Sequence, residues 1–253
     1  MKIFFGHTLR FILLMIIVND LSAQGPVESK RLNGKLLTTL ENLTDTLVVQ
    51  FQKQKLNWPP KSVFLRSFKY EKQLELWIRN NEDEPFRLFK IYPVCMQSGT
   101  LGPKRMEGDY QVPEGFYHIN DFNSNSYFHL SLGLNYPNAS DHILSDSLNP
   151  GSLIYIHGNC VSTGCISIKD LPIEEVFFIA SKAREQGQEF IPVHIFPVRY
   201  NNKRALQYLS RIQSMSPALT GFHKGLRPAF EYFEQKKKPP LILVNEKGDY
   251  LFH

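Results

Sequence analysis

Apolar residues recur every three or four positions at Leu32, Leu36, Leu40, Leu43 and Leu47, the spacing of one buried stripe on an amphipathic helix. We read this stripe as packing against the domain that follows. Trp58, Pro59 and Pro60 end the pattern, because proline lacks the amide that a continuing helix needs. From Ser62 the texture becomes strand-like: V-F-L-R-S-F-K, then L-E-L-W-I-R, then F-R-L-F-K-I-Y-P-V, with Asn80 to Glu84 as a turn. Short polar connections between such runs predict antiparallel neighbours. Gly102 to Tyr117 has the glycine, proline and charge content of an ordered loop leading into a strand at F-Y-H-I.

The second half alternates between types. Ser152 to Ile156, S-L-I-Y-I, is a short β-prone run. Asp170 is placed to N-cap a helix that Pro172 opens and Gly187 closes, with Ile173, Val176, Phe177 and Ala180 on its buried face. Phe190 to Pro197 reads as a strand, and Lys203 to Ile212 and Ala218 to Gln235 read as helices. The tail closes as a hairpin turning through Asn245 to Gly248. The predicted fold class is α+β, with one mainly antiparallel β core and flanking helices.

The first residues change the picture of where the protein works. Lys2 and Arg10 precede an unbroken apolar run from Phe11 to Val18, and L-S-A-Q follows. This is the pattern of a secretory signal peptide cleaved after Ala23. The run is too short for a membrane span of about 20 residues, so residues 1–23 are expected to be removed, with no transmembrane segment afterwards and a secreted or periplasmic product. Residues 24–61 then form an N-terminal helical segment, 62–200 the principal domain, and 201–253 helices and a hairpin packed on it. The formal net charge of +5 and a pI near 9.0 come from dispersed basic residues, Lys236 to Lys238 apart. No nucleic-acid motif accompanies them, so no nucleic-acid partner is expected; a mild positive field suits an anionic polymer or surface.

Candidate chemistry concentrates in Ile156 to Ile168, I-H-G-N-C-V-S-T-G-C-I-S-I. A cysteine thiol of pKa about 8.5 is mostly protonated at neutral pH, and an adjacent imidazole commonly brings it to about 3.5–7.5. His157 is the candidate base. Backbone amides beside Gly164 can approach an oxyanion because no Cβ blocks them. Other readings stay open. His157, Cys160 and Cys165 include an H-x2-C ligand spacing for zinc, but no fourth ligand is evident. The cysteines could instead be a structural disulfide or buried inert thiols, against which stand the glycines and the polar Asn159, Ser162 and Thr163. Cys95, Cys160 and Cys165 make an odd count, so at least one stays unpaired. A Cys95–Cys160 bond has no local support. His118, His129, His142 and His194 read as structural.

The segment Ser162 to Ile166, S-x-G-C-I, preceded by a His-Gly pair, resembles the signature of the YkuD-type L,D-transpeptidase catalytic domain. In most of that family the histidine and cysteine lie further apart and the signature reads S-H-G-C; here the interval is short and Thr163 stands for the second histidine. This compressed form is similar to the YafK-like branch, which contains periplasmic enzymes acting on peptidoglycan. Gly102 to Tyr117 and Leu130 to Asn138 add to the likeness, which covers roughly Val63 to Pro197. The resemblance implies Cys165 as nucleophile, His157 as general base, and an oxyanion loop of Gly164, Thr163, Ser162 and Gly158; Cys160 remains the alternative nucleophile on H-G-N-C alone. Tyr136 and Asn138 would line the cleft, and Lys104 and Arg105 would meet substrate carboxylates, although a solvated loop face would use the same residue types.

The implied function is an exported cysteine acyltransferase that passes peptidoglycan stem peptides to an amine acceptor, crosslinking them or attaching a protein. Hydrolysis of peptidoglycan or protein–peptidoglycan amides is the alternative, and a noncatalytic wall-binding module is the alternative of another class. No cofactor or metal is implied, and a wall-attached protein is a second candidate partner.

Overall fold

The computed structural model describes residues 34–252; the leader reading of residues 1–23, and Leu32 with it, lies outside them. In chain order the elements are α1 (Gly34–Lys53), β1 (Ser62–Phe68), β2 (Gln73–Arg79), β3 (Arg87–Pro93), β4 (Gly115–Ser126), β5 (His129–Leu134), α2 (Ala139–Leu144), β6 (Tyr155–His157), β7 (Ile166–Ser167), α3 (Asp170–Glu185), β8 (Ile191–Phe196), α4 (Lys203–Met215), α5 (Pro217–Lys236), β9 (Ile242–Val244) and β10 (Tyr250–Phe252). All fall within one compact unit. The α+β class with a mainly antiparallel core is as the pattern predicts.

Eight strands form one sheet in the order β3-β2-β1-β8-β4-β5-β6-β7. Among the described residues only β1–β8 and β6–β7 pair in parallel. The first three strands make the predicted meander, Val63 opposite Ile78 and Glu75 opposite Ile91. The sheet then curls until its ends meet. Cys95 N–H donates to Ser167 O at 2.9 Å and Ser167 N–H to Met96 O at 3.1 Å, an antiparallel bridge between the chain leaving β3 and the edge strand β7.

Helix α3 lies against the main core. Ile173, Val176, Ile179, Ala180 and Ala183 are fully buried, together with Leu65, Leu132, Ile156, Ile166 and Val193 from the sheet. Each large aliphatic side chain so buried contributes about 1.5–3 kcal/mol. Leu43 and Leu47 of α1 join the same cluster with Phe51, which is the packing role predicted for those two positions. Asp170 begins α3 rather than capping it: Lys169 holds the cap position without a side-chain bond, and the Asp170 carboxylate accepts from Asn159 N instead. A second cluster joins α4 and α5 to Phe68, Phe116 and Phe196, and the β9–β10 hairpin contacts α5.

Candidate active site

Strand alternation sets the two chemical side chains on one face. Ile156 pairs with Ile166 and His157 with Ser167. Ile156, Ile166 and Ile168 are all fully buried in the core, so the period-two geometry turns His157 and Ser167 to the opposite face, toward which Cys165, directly before β7, also alternates. There the ring of Phe128 stacks on His157 at 4.6 Å, leaving the imidazole only 1 % exposed. Backbone bonds fix the histidine's place, from Gly158 N–H to Leu130 O at 3.1 Å and from Ile168 N–H to His157 O at 3.0 Å.

The loop from Gly158 to Gly164 is fastened at several points. A Cβ on Gly158 would lie 2.7 Å from both Asp170 Oδ1 and Phe128 O, so the close passage of α3 and the β4–β5 turn requires glycine. Asn159 N–H donates to Asp170 Oδ1 at 2.6 Å. Cys160 is disulfide-bonded to Cys95 with a Cα–Cα separation of 5.8 Å, which makes Cys165 the free cysteine. The disulfide withdraws Cys160 from both the nucleophile and the zinc-ligand readings. Ser162 Oγ donates to Cys165 O at 2.7 Å and accepts from Ser98 N–H at 3.2 Å and Gly164 N–H at 3.3 Å. The amide assigned to the oxyanion is thus partnered, through a long bond. Thr163 is exposed on the loop.

His157 and Cys165 share a face, but both imidazole nitrogens have other partners. Nδ1 lies 2.6 Å from Gly158 O and Nε2 lies 3.3 Å from Ser167 Oγ, while the Cys165 thiol donates toward Leu153 O at 3.8 Å. Burial pushes the Cys165 thiol up, against smaller downward pulls from the Tyr155 backbone and the Lys104 ammonium. Burial also holds the His157 imidazole below its ordinary value, although the bond to Gly158 O opposes it. At rest both groups are therefore driven toward their neutral forms, opposite to the lowered thiol pKa expected from the sequence. The explanation is burial, which penalises charge on either group, the imidazole lying under the Phe128 ring.

The loop residues have tasks that their sequence does not announce. Lys104 is 4 % exposed and pairs with Asp109 Oδ1 at 2.6 Å while donating to Met106 O at 2.7 Å. Arg105 is half-buried, with its guanidinium 3.3 Å from Asp141 Oδ1 and 5.1 Å from the Phe222 ring. Asp109 accepts the amides of Arg105, Met106 and Gln111, so Gly102 to Tyr117 is an ordered loop. Tyr136 is buried and its hydroxyl donates to Pro150 O at 2.9 Å. Asn138 caps α2 by accepting Asp141 N–H, while its amide donates to Phe116 O and Tyr250 Oη. These contacts engage all four side chains in holding the Gly102 to Tyr117 loop, α2 and their neighbours in place. The sequence reading passed over Ser167, although polar Cys165 and Ser167 alternate with apolar Ile166 and Ile168, which is a strand signal for a shared face.

No protein-family model matches the chain. It is 33 % identical over 203 residues to the protein named "Putative L,D-transpeptidase YafK" of Escherichia coli strain K12, covering 79 % of this chain and 76 % of that protein. The same figures hold for the YafK of Escherichia coli O157:H7. Among solved structures, the helical cell shape determining protein Pgp2 from Campylobacter jejuni is similar over 73 % of each chain, with a TM-score of 0.44 at 17 % identity. L,D-transpeptidase 1 of Mycobacterium tuberculosis is similar over 53 % of this chain and 61 % of that one, with a TM-score of 0.27 at 12 % identity. On the extent and identity of the YafK match, the chain belongs to the L,D-transpeptidase family, in its YafK-like branch.

Proposed function

We propose that the protein is an exported cysteine acyltransferase acting on peptidoglycan stem peptides. The observation that carries this reading is that the free cysteine, Cys165, directly precedes β7, the strand that pairs with the His157-bearing β6, while Cys160 is bonded to Cys95. Export is supported by the charged and apolar pattern of the first residues and by the disulfide, which persists in oxidising compartments. Among the described residues no helix is long and apolar enough to cross a membrane.

In the proposed reaction Cys165 Sγ attacks the amide carbonyl at the L-to-D junction of the stem. His157 takes the thiol proton as the C–S bond forms, which requires one imidazole nitrogen to exchange its present partner for Sγ. The oxyanion is assigned to backbone amides of the Gly164 segment, Gly164 N–H leaving Ser162 Oγ to serve it. The imidazolium then returns its proton to the departing amine, and the acyl-enzyme passes its acyl group to an acceptor amine. Because burial disfavours both charges beforehand, the ion pair forms during attack rather than standing ready. Lys104 eases thiolate formation through its field.

A second reading, hydrolysis of the acyl-enzyme, is favoured by the short loop between His157 and Cys165 and by the partial exposure of the thiol. Mass spectrometry of the purified mature protein with peptidoglycan fragments, with and without an amine acceptor and beside Cys165→Ala, distinguishes the two. An acceptor-bearing peptide marks transfer, and a product one water heavier marks hydrolysis. Absence of any Cys165-dependent change overturns both and leaves a wall-binding module.

A further inference from the structure

We propose that Ser167 is a positioning residue for His157, a hydroxyl rotor that satisfies the imidazole in either protonation state during the acyl transfer. This rests on the reading of His157 as the base. Ser167 is fully buried and fixed from both sides, by pairing with His157 across β6–β7 and by the two backbone bonds to Cys95 and Met96. Its Oγ lies 3.3 Å from His157 Nε2 and donates to Val161 O.

A hydroxyl has one proton and two acceptor lone pairs. With Nδ1–H donating to Gly158 O, the neutral imidazole has a lone pair on Nε2, and the Ser167 proton can turn to it. For Nε2 to take the Cys165 proton, the Ser167 proton first turns away to Val161 O, to which Oγ donates in the structure; Nε2–H then becomes a donor that Ser167 Oγ accepts. The imidazolium thereby has an acceptor at each nitrogen, Gly158 O and Ser167 Oγ. An uncompensated charge buried under Phe128 would be costly.

The other groups around the ring do not supply this. Asp170 at the head of α3 accepts Asn159 N–H, and the His129 and Glu174 side chains pair with one another at 2.6 Å between β5 and α3. From β5, Ser131 stands opposite His157 in the ladder. On the thiol side Lys104 is paired with Asp109, so Ser167 is the side-chain oxygen bonded to the imidazole.

The test compares Ser167→Ala and Ser167→Thr with the wild-type mature protein, beside His157→Ala and Cys165→Ala, each first checked for cooperative thermal unfolding. The readouts are turnover on peptidoglycan fragments and the pH profile of Cys165 alkylation by iodoacetamide. In Ser167→Ala, the alkylation midpoint should move up by about one to two pH units and kcat should fall about tenfold or more, with little change in KM. Ser167→Thr, which keeps the hydroxyl on a β-prone side chain, should restore both. An unchanged profile and kcat in Ser167→Ala overturns the proposal. So does a loss of turnover with an unshifted profile that threonine fails to rescue, since that marks packing alone. Wild-type turnover in His157→Ala would refute the base assignment itself; strong loss there, with Ser167→Ala unaffected, would refute only the role of Ser167.

Discussion

Gly164 precedes the thiol at φ +131°, and a Cβ there would stand 3.3 Å from Gln111 O. An L side chain is strained at that φ and crowded by a backbone atom, at a cost of about 1–3 kcal/mol. Since the strain lies next to Cys165, Gly164→Ala should lower turnover at least tenfold while reducing stability by no more than about 3 kcal/mol. Steady-state kinetics beside urea unfolding checks both parts; full activity would remove the Gly164 backbone from the mechanism. At this scale the sequence was informative about chemistry. His157, Cys165 and Gly164 were legible as candidates because an imidazole, a thiol and a glycine fall within nine consecutive positions. Lys104, Arg105, Tyr136 and Asn138 were less so: their types suit a binding cleft, yet Asp109, Asp141, Pro150 and Phe116 engage them within the fold. Asp109 lies in the same loop as Lys104, but Asp141, Pro150 and Phe116 lie 14 to 36 residues from the side chains they engage, and local spacing carries no record of them.

At the scale of elements, the seam beside the thiol joins segments distant in sequence. Cys95, just beyond β3, and Cys160, in the β6–β7 loop, are 65 residues apart and covalently linked, next to the backbone bridge from Met96 to Ser167. Closing a loop of that length by a disulfide stabilises a fold by about 2–4 kcal/mol. The double variant Cys95→Ser/Cys160→Ser should be less stable by that amount in urea unfolding and lose turnover, because the loop between His157 and Cys165 loses its covalent anchor. Thiol titration should find one reactive group in the native protein and three after denaturing reduction. Three in the unreduced, denatured protein would show that the bridge does not form.

Strands β1 to β3 and helices α3 to α5 were legible because their periodicity is sustained. The short α2 was not. It depends on a capping box in which Asn138 and Asp141 exchange side-chain and backbone bonds, and burial raises the Asp141 carboxyl from 3.8 to about 6. The folded state therefore holds the proton more tightly than the unfolded chain, and stability falls as pH rises from 3.8 to about 6. Asp141→Asn lacks that penalty. Relative to wild type, the variant should gain about 1–3 kcal/mol between roughly pH 4 and pH 7. Urea unfolding across that range checks it, and parallel pH curves would contradict the raised carboxyl.

At the scale of the whole molecule, a buried ionic group ties the C-terminal helices to the loop beside the active site. Glu114, wholly buried at the entrance to β4, pairs with Lys69 Nζ at 3.1 Å and His223 Nε2 at 2.8 Å, and accepts Gly102 N–H at 2.6 Å. Lys69 also donates to Gly102 O and Val112 O. One carboxylate thus joins the end of β1, both ends of the Gly102–Glu114 loop and α5. Burial alone would raise Glu114, but Lys69 and His223 outweigh it and hold the carboxyl below its ordinary 4.5. A carboxylate depressed in this way stabilises the fold above its unfolded pKa, and that stability is lost as pH falls below 4.5 through the folded value. Lys69→Met removes one of the two basic partners of the buried Glu114, leaving it His223 and Gly102 N–H, and should cost about 3–5 kcal/mol at neutral pH. The double variant Lys69→Met/Glu114→Leu removes both charges and should recover a large part of that loss, with a shallower acid limb than wild type. A double variant no more stable than Lys69→Met alone would mean that α5 is held to the loop by apolar packing and not by the ion pair.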